Sequence, residues 1–186
     1  VESIGQYTFY GCSSLEQIQM PSSIKTFAEC RSLNKVLIPV SVNIIKKNAF
    51  TNASIENIII PKSIVEIEEY AFSKCKCLKF VQFEDQSNLQ KIYNSAFEES
   101  SIKKIEIPRN IKQIYKRVFY NCKNLKKIDF GLCSNLQFIG DDTFNGTSIE
   151  KIVIPASVIS LGKNMFNNCN KLTNIEFEND SKIQII

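Results

Sequence analysis

Seven cysteines are the most reactive side chains of this 186-residue chain, which contains no histidine. Without histidine the chain forms no Ser-His-Asp or Cys-His nucleophile pair, no imidazole metal site and no imidazole proton shuttle. Disulfide formation and thiolate binding of metals are the remaining reactions of cysteine. Cys75 and Cys77 form a lone C-x-C motif without a second pair. Because a zinc site needs four ligands, we predict no metal site.

Five of the cysteines recur at one position of a repeated pattern: Cys12, Cys30, Cys75, Cys122 and Cys169. We place the last three two coils of a repeat apart, about 9–10 Å by strand spacing, which is too far for a disulfide. We therefore predict buried, reduced thiols that pack as small hydrophobic groups. Only Cys12 and Cys30 lie in consecutive units and can approach each other. Cys133 lies in a polar loop, where we predict the most exposed thiol.

Carboxylates are the other candidates for chemistry, because glycoside hydrolysis uses paired carboxylic acids. Parallel β-helix lyases and hydrolases are thus the rival hypothesis. Four of the five aspartates lie outside the main predicted strands: Asp85, Asp141, Asp142 and Asp180. Glu106 and Asp129 pair on neighbouring strands, but lysines flank them and we expect an open sheet there, not a cleft. We predict no enzymatic activity, no catalytic residue and no cofactor.

The elements that carry these residues recur with a fixed period. Three residue types share a spacing of 47 residues: Phe50, Phe97 and Phe144; Pro61, Pro108 and Pro155; and Cys75, Cys122 and Cys169. From Phe50 onward, intervening phenylalanines divide each period into units of 22 and 25 residues. The longer unit replaces the proline turn by a polar loop, which costs little closure entropy. Such self-similarity is typical of a solenoid.

Each unit contains the pattern L-x-x-I-x-I, in which apolar residues alternate with polar ones, as in a strand with one buried face. Proline then ends the strand, and a second short extended piece returns the chain. The A-F-x-x-C stretch is long enough for only one helical turn. We therefore predict a mainly β solenoid with one parallel sheet of seven or eight short strands and little helix.

The signature I-P-x-S-V-x-x-I-x-x-x-A-F-x-x-C-x-x-L, present at residues 60–78, resembles the BspA-like leucine-rich repeat family, close to the treponemal class. The resemblance covers essentially the whole chain. It implies a single leucine-rich-repeat solenoid over residues 1–186, with about eight units of 22–25 residues. It also implies display on a cell surface and adhesion to host proteins or other cells. The T-S-I half-units are similar to a protist branch of surface antigens.

Two places depart from a regular array. Phe9 and Phe27 are only 18 residues apart, so the first full unit lacks the second extended piece. Residues 1–5 and 183–186 each match only part of a unit. A solenoid needs polar caps at its ends, and neither end shows one. We therefore expect the sequence to be truncated at both ends and to belong to a longer array.

Outward-facing strand positions form two columns along the predicted sheet. The first column is Gln17, Lys35, Asn57, Phe80, Lys104, Lys127, Lys151 and Asn174. The second is Gln19, Leu37, Ile59, Gln82, Glu106, Asp129, Val153 and Glu176. Leu37, Ile59 and Phe80 predict an apolar contact patch. The stacked lysines repel one another, and Glu106 and Asp129 offset that repulsion.

We predict that this strand face binds a protein ligand, because solenoids usually bind through such a surface. The alternative is an ordinary solvated strand surface. The predicted binding residues are Lys35, Leu37, Asn57, Ile59, Phe80, Gln82, Lys104, Glu106, Lys127, Asp129, Lys151 and Val153. The net charge of +4 and the short lysine column do not fit a nucleic-acid binder, and no segment is apolar enough to span a membrane.

Three N-x-S/T sequons begin at Asn52, Asn145 and Asn179, and all lie in predicted turns, where a glycan can be accommodated. An asparagine-rich chain also produces sequons by chance. Two functions stay open. The sequons and the resemblance favour an extracellular, cell-surface adhesin or antigen that binds host or cell-surface proteins. Reduced core cysteines favour a cytoplasmic scaffold for protein–protein interaction.

Overall fold

The computed structural model describes residues 17–19, 35–132 and 134–183. For residues 17–19 and Lys35 only the backbone is described. Predictions that concern Cys12, Cys30, Cys133, the short Phe9–Phe27 unit and the two terminal half-units therefore lie wholly or partly outside the described residues.

The alternating L-x-x-I-x-I segments form the front strands of a solenoid. They are Gln17–Gln19, Lys35–Leu37, Asn57–Ile60, Phe80–Phe83, Lys104–Glu106, Lys127–Asp129, Lys151–Ile154 and Asn174–Phe177. All pairings between them are parallel, in hydrogen-bonded groups of two, four and two. Strand residues alternate between exposed and buried, as at Asn57–Ile60, because every second side chain points into the coil; the last strand, Asn174–Phe177, departs from this and leaves Ile175 and Phe177 exposed. The predicted parallel solenoid is confirmed, and no helix occurs in the described residues.

The return pieces form a second parallel sheet, which the prediction of a single sheet missed. Its strands are Ile44–Ile45, Glu66–Ile67, Lys91–Ile92, Gln113–Ile114, Phe138–Ile139 and Ser160–Leu161. They pair in register, for example Ile67 with Ile92 and Ile92 with Ile114. The physical reason is the stacking itself, because coils held in register on one side also bring equivalent extended segments together on the other.

A column of phenylalanine rings fills the space between the two sheets. Five stacked contacts join the column, with centroid separations of 5.1–6.0 Å, and its members are Phe50, Phe72, Phe97, Phe119, Phe144 and Phe166. Phe72, Phe97, Phe119 and Phe144 are completely buried. Each ring therefore packs against the equivalent ring of both neighbouring coils, and the core runs without interruption along the solenoid.

Two residues of left-handed backbone, four positions apart, bracket the A-F-x-x turn of each coil. Tyr70 and Lys74 form one pair, with φ angles of 57° and 59°, and Ser95 and Glu99 form the next. Most of the equivalent positions in the other coils carry asparagine, aspartate or glycine, as at Asn121 and Gly146, and Arg117 is an exception. Because a β-carbon makes this conformation unfavourable, Tyr70 and Lys74 are locally strained residues that the stacked coils hold in place.

Replacing Lys74 by asparagine is expected to raise the free energy of unfolding by about 0.5–1 kcal/mol, because asparagine tolerates left-handed backbone better than lysine. The Lys74 side chain is exposed and forms no ion pair with any residue that the structure describes. Lys62→Asn, also at an exposed lysine but with ordinary backbone, is the matched control. Urea denaturation measures both. Equal stability changes in the two variants would show that the local backbone is not strained.

Candidate protein-binding face

The ladder register brings the two predicted columns together. Asn57 pairs with Phe80, Phe80 with Lys104, and Lys104 with Lys127. In the second column Ile59 pairs with Gln82, and Glu106 pairs with Asp129. The remaining pairs are Gln17 with Lys35, Gln19 with Leu37, Lys151 with Asn174, and Val153 with Glu176. The geometry of the columns is as predicted, whereas the binding role of their residues stays a prediction.

Large apolar side chains are exposed at one end of this face. The exposed fractions are 53% for Leu37, 53% for Ile59 and 52% for Phe80. These residues belong to three successive front strands. Asn57–Ile60 and Phe80–Phe83 are hydrogen-bonded neighbours, about 4.8 Å apart, whereas Lys35–Leu37 belongs to a separate hydrogen-bonded group. Val36, Ile58 and Val81, which alternate with them, are buried. The sheet beneath the apolar patch is therefore fixed by the core, and a partner meets a surface that is already ordered.

Opposite charges sit side by side at the other end of the face. Lys104 Nζ lies 2.6 Å from Glu106 Oε1, and Lys127 Nζ lies 3.8 Å from Asp129 Oδ2. The hydrogen bond to Glu106, together with the attraction of its charge, raises the pKa of Lys104. These pairs are exposed, so they contribute little to stability and remain available to a charged partner. They offset the repulsion between the paired strands, as the sequence predicted.

The expectation of a flat, open sheet is wrong in one place. An open depression of about 1030 Å³ lies at the ends of the strands Phe80–Phe83, Lys104–Glu106 and Lys127–Asp129. Its lining includes Gln82, Glu84, Glu106, Arg109 and Asp129. The alternation of unit lengths explains it, because the proline turn at 108 is shorter than the loops that begin at 84 and 131. The same alternation could have revealed the depression from the sequence.

The depression contains two carboxylates that the sequence singled out for possible chemistry. Glu106 and Asp129 each form an ion pair with the lysine two residues earlier in the same strand. No histidine is present anywhere in the chain to act as a base. The lining carries both charge signs, which suits contact with a polar partner.

The repeated cysteines lie in the core as predicted. Cys75, Cys122 and Cys169 are buried and unpaired with other cysteines. Each thiol donates a hydrogen bond to the carbonyl oxygen of the phenylalanine 25 residues earlier, at Sγ–O distances of 2.9–3.0 Å. Burial raises the pKa of Cys75 and of Cys122 to about 12. Both thiols therefore stay protonated and unreactive near neutral pH.

Thiol labelling at pH 8 is expected to leave Cys75 and Cys122 unmodified in the folded chain, while the half-buried Cys77 reacts. In denaturant all three should react at similar rates, because the desolvation that raises the pKa is lost on unfolding. Mass spectrometry after timed quenching measures the order. Labelling of Cys75 as fast as Cys77 without unfolding would contradict this packing.

The three sequon asparagines lie in turns, but their environments differ. Asn179 is exposed and Asn52 is half-buried. Asn145 is only 8% exposed, its Nδ2 donates to Asp142 Oδ1, and its Oδ1 accepts from Asn168. Both polar atoms of the Asn145 side chain are therefore engaged within the folded coil. The use of all three sequons stays a prediction.

Metal ligands and membrane spans are the two remaining features. No group of three or more cysteine, aspartate or glutamate side chains is arranged to hold a metal ion in the part of the chain that the structure describes. Over the same ranges, no helix is long and apolar enough to cross a bilayer.

The sequence matches the BspA type leucine-rich repeat region in six copies, over residues 2–126 and 90–186. The chain belongs to the BspA-type leucine-rich repeat family. No curated protein sequence matches it. As a BspA-type chain it is a repeat module of the protein-interaction kind, in which stacked units present an extended surface.

Solved structures with the same fold come from bacteria. The pneumococcal vaccine antigen PcpA is 26% identical, with a TM-score of 0.74 over 93% of this chain and 43% of PcpA. A leucine-rich repeat protein of Bacteroides ovatus is 23% identical, with a TM-score of 0.67 over 98% of this chain and 66% of that protein. A leucine-rich cell surface protein of Faecalibacterium prausnitzii is 23% identical, with a TM-score of 0.56 over 90% of this chain and 48% of that protein.

This BspA-type chain thus spans less than half the length of PcpA and of the Faecalibacterium protein. The similarity to the Bacteroides and Faecalibacterium structures shows the fold alone. The two descriptions that mention a location or use, a vaccine antigen and a cell surface protein, apply to those bacterial proteins.

Proposed function

We propose that the chain is the protein-binding part of a cell-surface adhesin or antigen, and that its front strand face contacts a host or cell-surface protein. The observation that carries this proposal is the presence of Leu37, Ile59 and Phe80 as exposed apolar residues on three successive strands, with Ile59 and Phe80 at diagonal positions of two paired strands. A soluble surface rarely gathers such residues without a partner, and a few of them usually dominate an interface.

The charged half of the face complements the apolar half. Lys104 and Glu106, with Lys127 and Asp129, form a polar border beside Phe80. Interfaces commonly surround an apolar centre with such a border. The charges speed encounter with a complementary partner and make it salt-dependent, whereas the apolar residues limit dissociation. The depression beneath Gln82 and Arg109 offers room for a protruding side chain.

Two observations support a surface location. The family resemblance and the similarity to the vaccine antigen PcpA favour the outside of the cell. Asn179 offers an exposed sequon. The second candidate is a cytoplasmic scaffold that uses the same face, and the unpaired thiols Cys75, Cys122 and Cys169 favour it.

Three measurements test the proposal. A membrane-impermeant biotin reagent applied to intact cells should label the native protein, and the purified chain should bind to host cells or to immobilised matrix proteins. Treatment with a glycosidase should shift the mass of a glycosylated form. Labelling only after the cells are broken would favour the cytoplasmic scaffold, and absence of binding to any extracellular surface would overturn the adhesin proposal.

A further inference from the structure

Lysines stack on lysines at one edge of the front face. Lys104 is the direct ladder partner of Lys127, and the backbone N–H of Lys126 donates to the carbonyl oxygen of Lys103 at 3.0 Å. Lys151 occupies the equivalent position on the next coil, and Lys123 precedes Lys126 by three residues. We call this group the lysine patch, and all its members are exposed: Lys103, Lys104, Lys123, Lys126, Lys127 and Lys151.

Most of these charges have no carboxylate partner. Lys103, Lys123, Lys126 and Lys151 form no ion pair with any residue in the described ranges. Glu150 occupies the position on the next coil that is equivalent to Lys126, but the two side chains form no ion pair. Several cations elsewhere meet a carboxylate of the adjacent coil, as in Lys46–Glu68, Lys47–Glu69, Lys76–Glu99, Lys79–Glu56, Lys91–Glu66 and Arg117–Glu98. In the patch, lysines of adjacent coils stack on one another instead, and Lys79, whose carbonyl oxygen accepts from the N–H of Lys103, continues that row.

We infer that the lysine patch binds a linear sulfated polysaccharide that lies along the solenoid axis, across the strands. Hydrogen-bonded neighbouring strands place lysine backbones about 4.8 Å apart, so a polymer with regularly spaced anions can contact several lysine side chains at once. The fold already orders the backbone of these lysines, so binding does not have to order it. Binding also releases counter-ions from the polysaccharide, which favours association. The inference does not depend on the proposed protein ligand.

The chemistry of the patch favours a polysaccharide over an acidic protein segment. Protein interfaces centre on buried aromatic or aliphatic anchors, and the exposed apolar side chains nearest the patch, Phe80 and Val153, lie beside Lys104 and Lys151 at its border and not beside Lys103 or Lys126. Ser101, two residues before Lys103, and Asn124, between Lys123 and Lys126, have side-chain groups suited to sugar hydroxyls. Lys103 and Lys126 also lie one residue away from the proposed protein-binding columns, so the two surfaces can be changed separately.

Heparin is the probe for the test. The double variant Lys103→Glu/Lys126→Glu is expected to bind immobilised heparin more than tenfold more weakly than the unchanged chain. The milder Lys103→Gln/Lys126→Gln should also weaken binding, which keeps the test informative if charge reversal disturbs folding. The return-side variant Lys112→Glu/Lys163→Glu carries the same change in net charge at exposed lysines and should bind within threefold of the unchanged chain.

Salt and competitor experiments identify the ligand class. The slope of log affinity against log salt should fall by roughly 1.5 in the Lys103/Lys126 variants, by analogy with the loss of two phosphate contacts. Chemically desulfated heparin, polyglutamate and single-stranded DNA should compete poorly. Equal competition by all polyanions, preference for polyglutamate, or equal losses in the front and return-side variants would each overturn the inference. Phe80→Ser should leave heparin binding intact, so this test and that of the protein-binding proposal can fail separately.

Discussion

Replacing Phe97 by alanine is expected to lower the free energy of unfolding by about 3–5 kcal/mol, the usual loss for a buried phenylalanine. The Phe97 ring is completely buried and stacks on Phe72 at 5.2 Å and on Phe119 at 5.6 Å. Its removal opens a cavity between two coils that the fixed strand spacing does not allow to close. The effect should therefore be large and should extend to both neighbouring coils.

Chemical denaturation measures the loss, and hydrogen exchange shows where it spreads. Phe80→Ala is the matched control, because Phe80 is the same residue type but 52% exposed, and its change should stay within about 0.5–1 kcal/mol. Faster exchange should appear at the amides of residues 71–73 and 118–120. A loss of unfolding free energy no greater than that of Phe80→Ala would show that the aromatic column does not stabilise the core.

Replacing Phe80 by serine is expected to weaken binding to the proposed protein ligand more than tenfold, equivalent to about 1.4 kcal/mol. Phe80 belongs to the apolar patch and pairs with Lys104 on the next strand, so apolar and charged residues would both surround it in an interface. Serine keeps the outward-facing strand position but removes nearly all the apolar area that a partner would desolvate. Dissociation should quicken, while the association rate changes little.

The control for this second prediction is Ile159→Ser on the return side of the coil. Ile159 is 50% exposed, close to the value for Phe80, and lies immediately before the return strand Ser160–Leu161. Surface plasmon resonance against captured matrix or host-cell proteins measures both variants after their melting curves have been matched. Equal losses in the two variants would argue against a specific front-face interface.

The parallel solenoid and the column register could be predicted from the sequence because the signal repeats. Phe50, Phe97 and Phe144 fix the period, and the alternation around Ile58 and Ile105 fixes which side chains face outward. A one-residue error in register would have exposed every buried residue of a strand. The seven front strands in residues 35–183 share the same sequence pattern, so a register shifted by one residue would conflict with all of them.

Features that depend on how neighbouring coils differ were harder to predict. The second sheet requires two-residue segments such as Glu66–Ile67 to stack, and so short a segment carries little strand signal of its own. The depression arises from the difference in length between adjacent loops, not from any one unit. The burial of Asn145 depends on Asn168 in the next coil, which no single sequon reveals.

Photo-cross-linking tests most directly whether the front face is the binding surface. A benzoylphenylalanine residue placed at Gln82, which is exposed on the strand Phe80–Phe83, leaves Phe80 itself intact. The same residue at Ile159 probes the return side. Illumination of the chain bound to the captured matrix or host-cell protein should yield a covalent adduct from position 82 and little from position 159. An adduct from position 159 without one from position 82 would contradict the account.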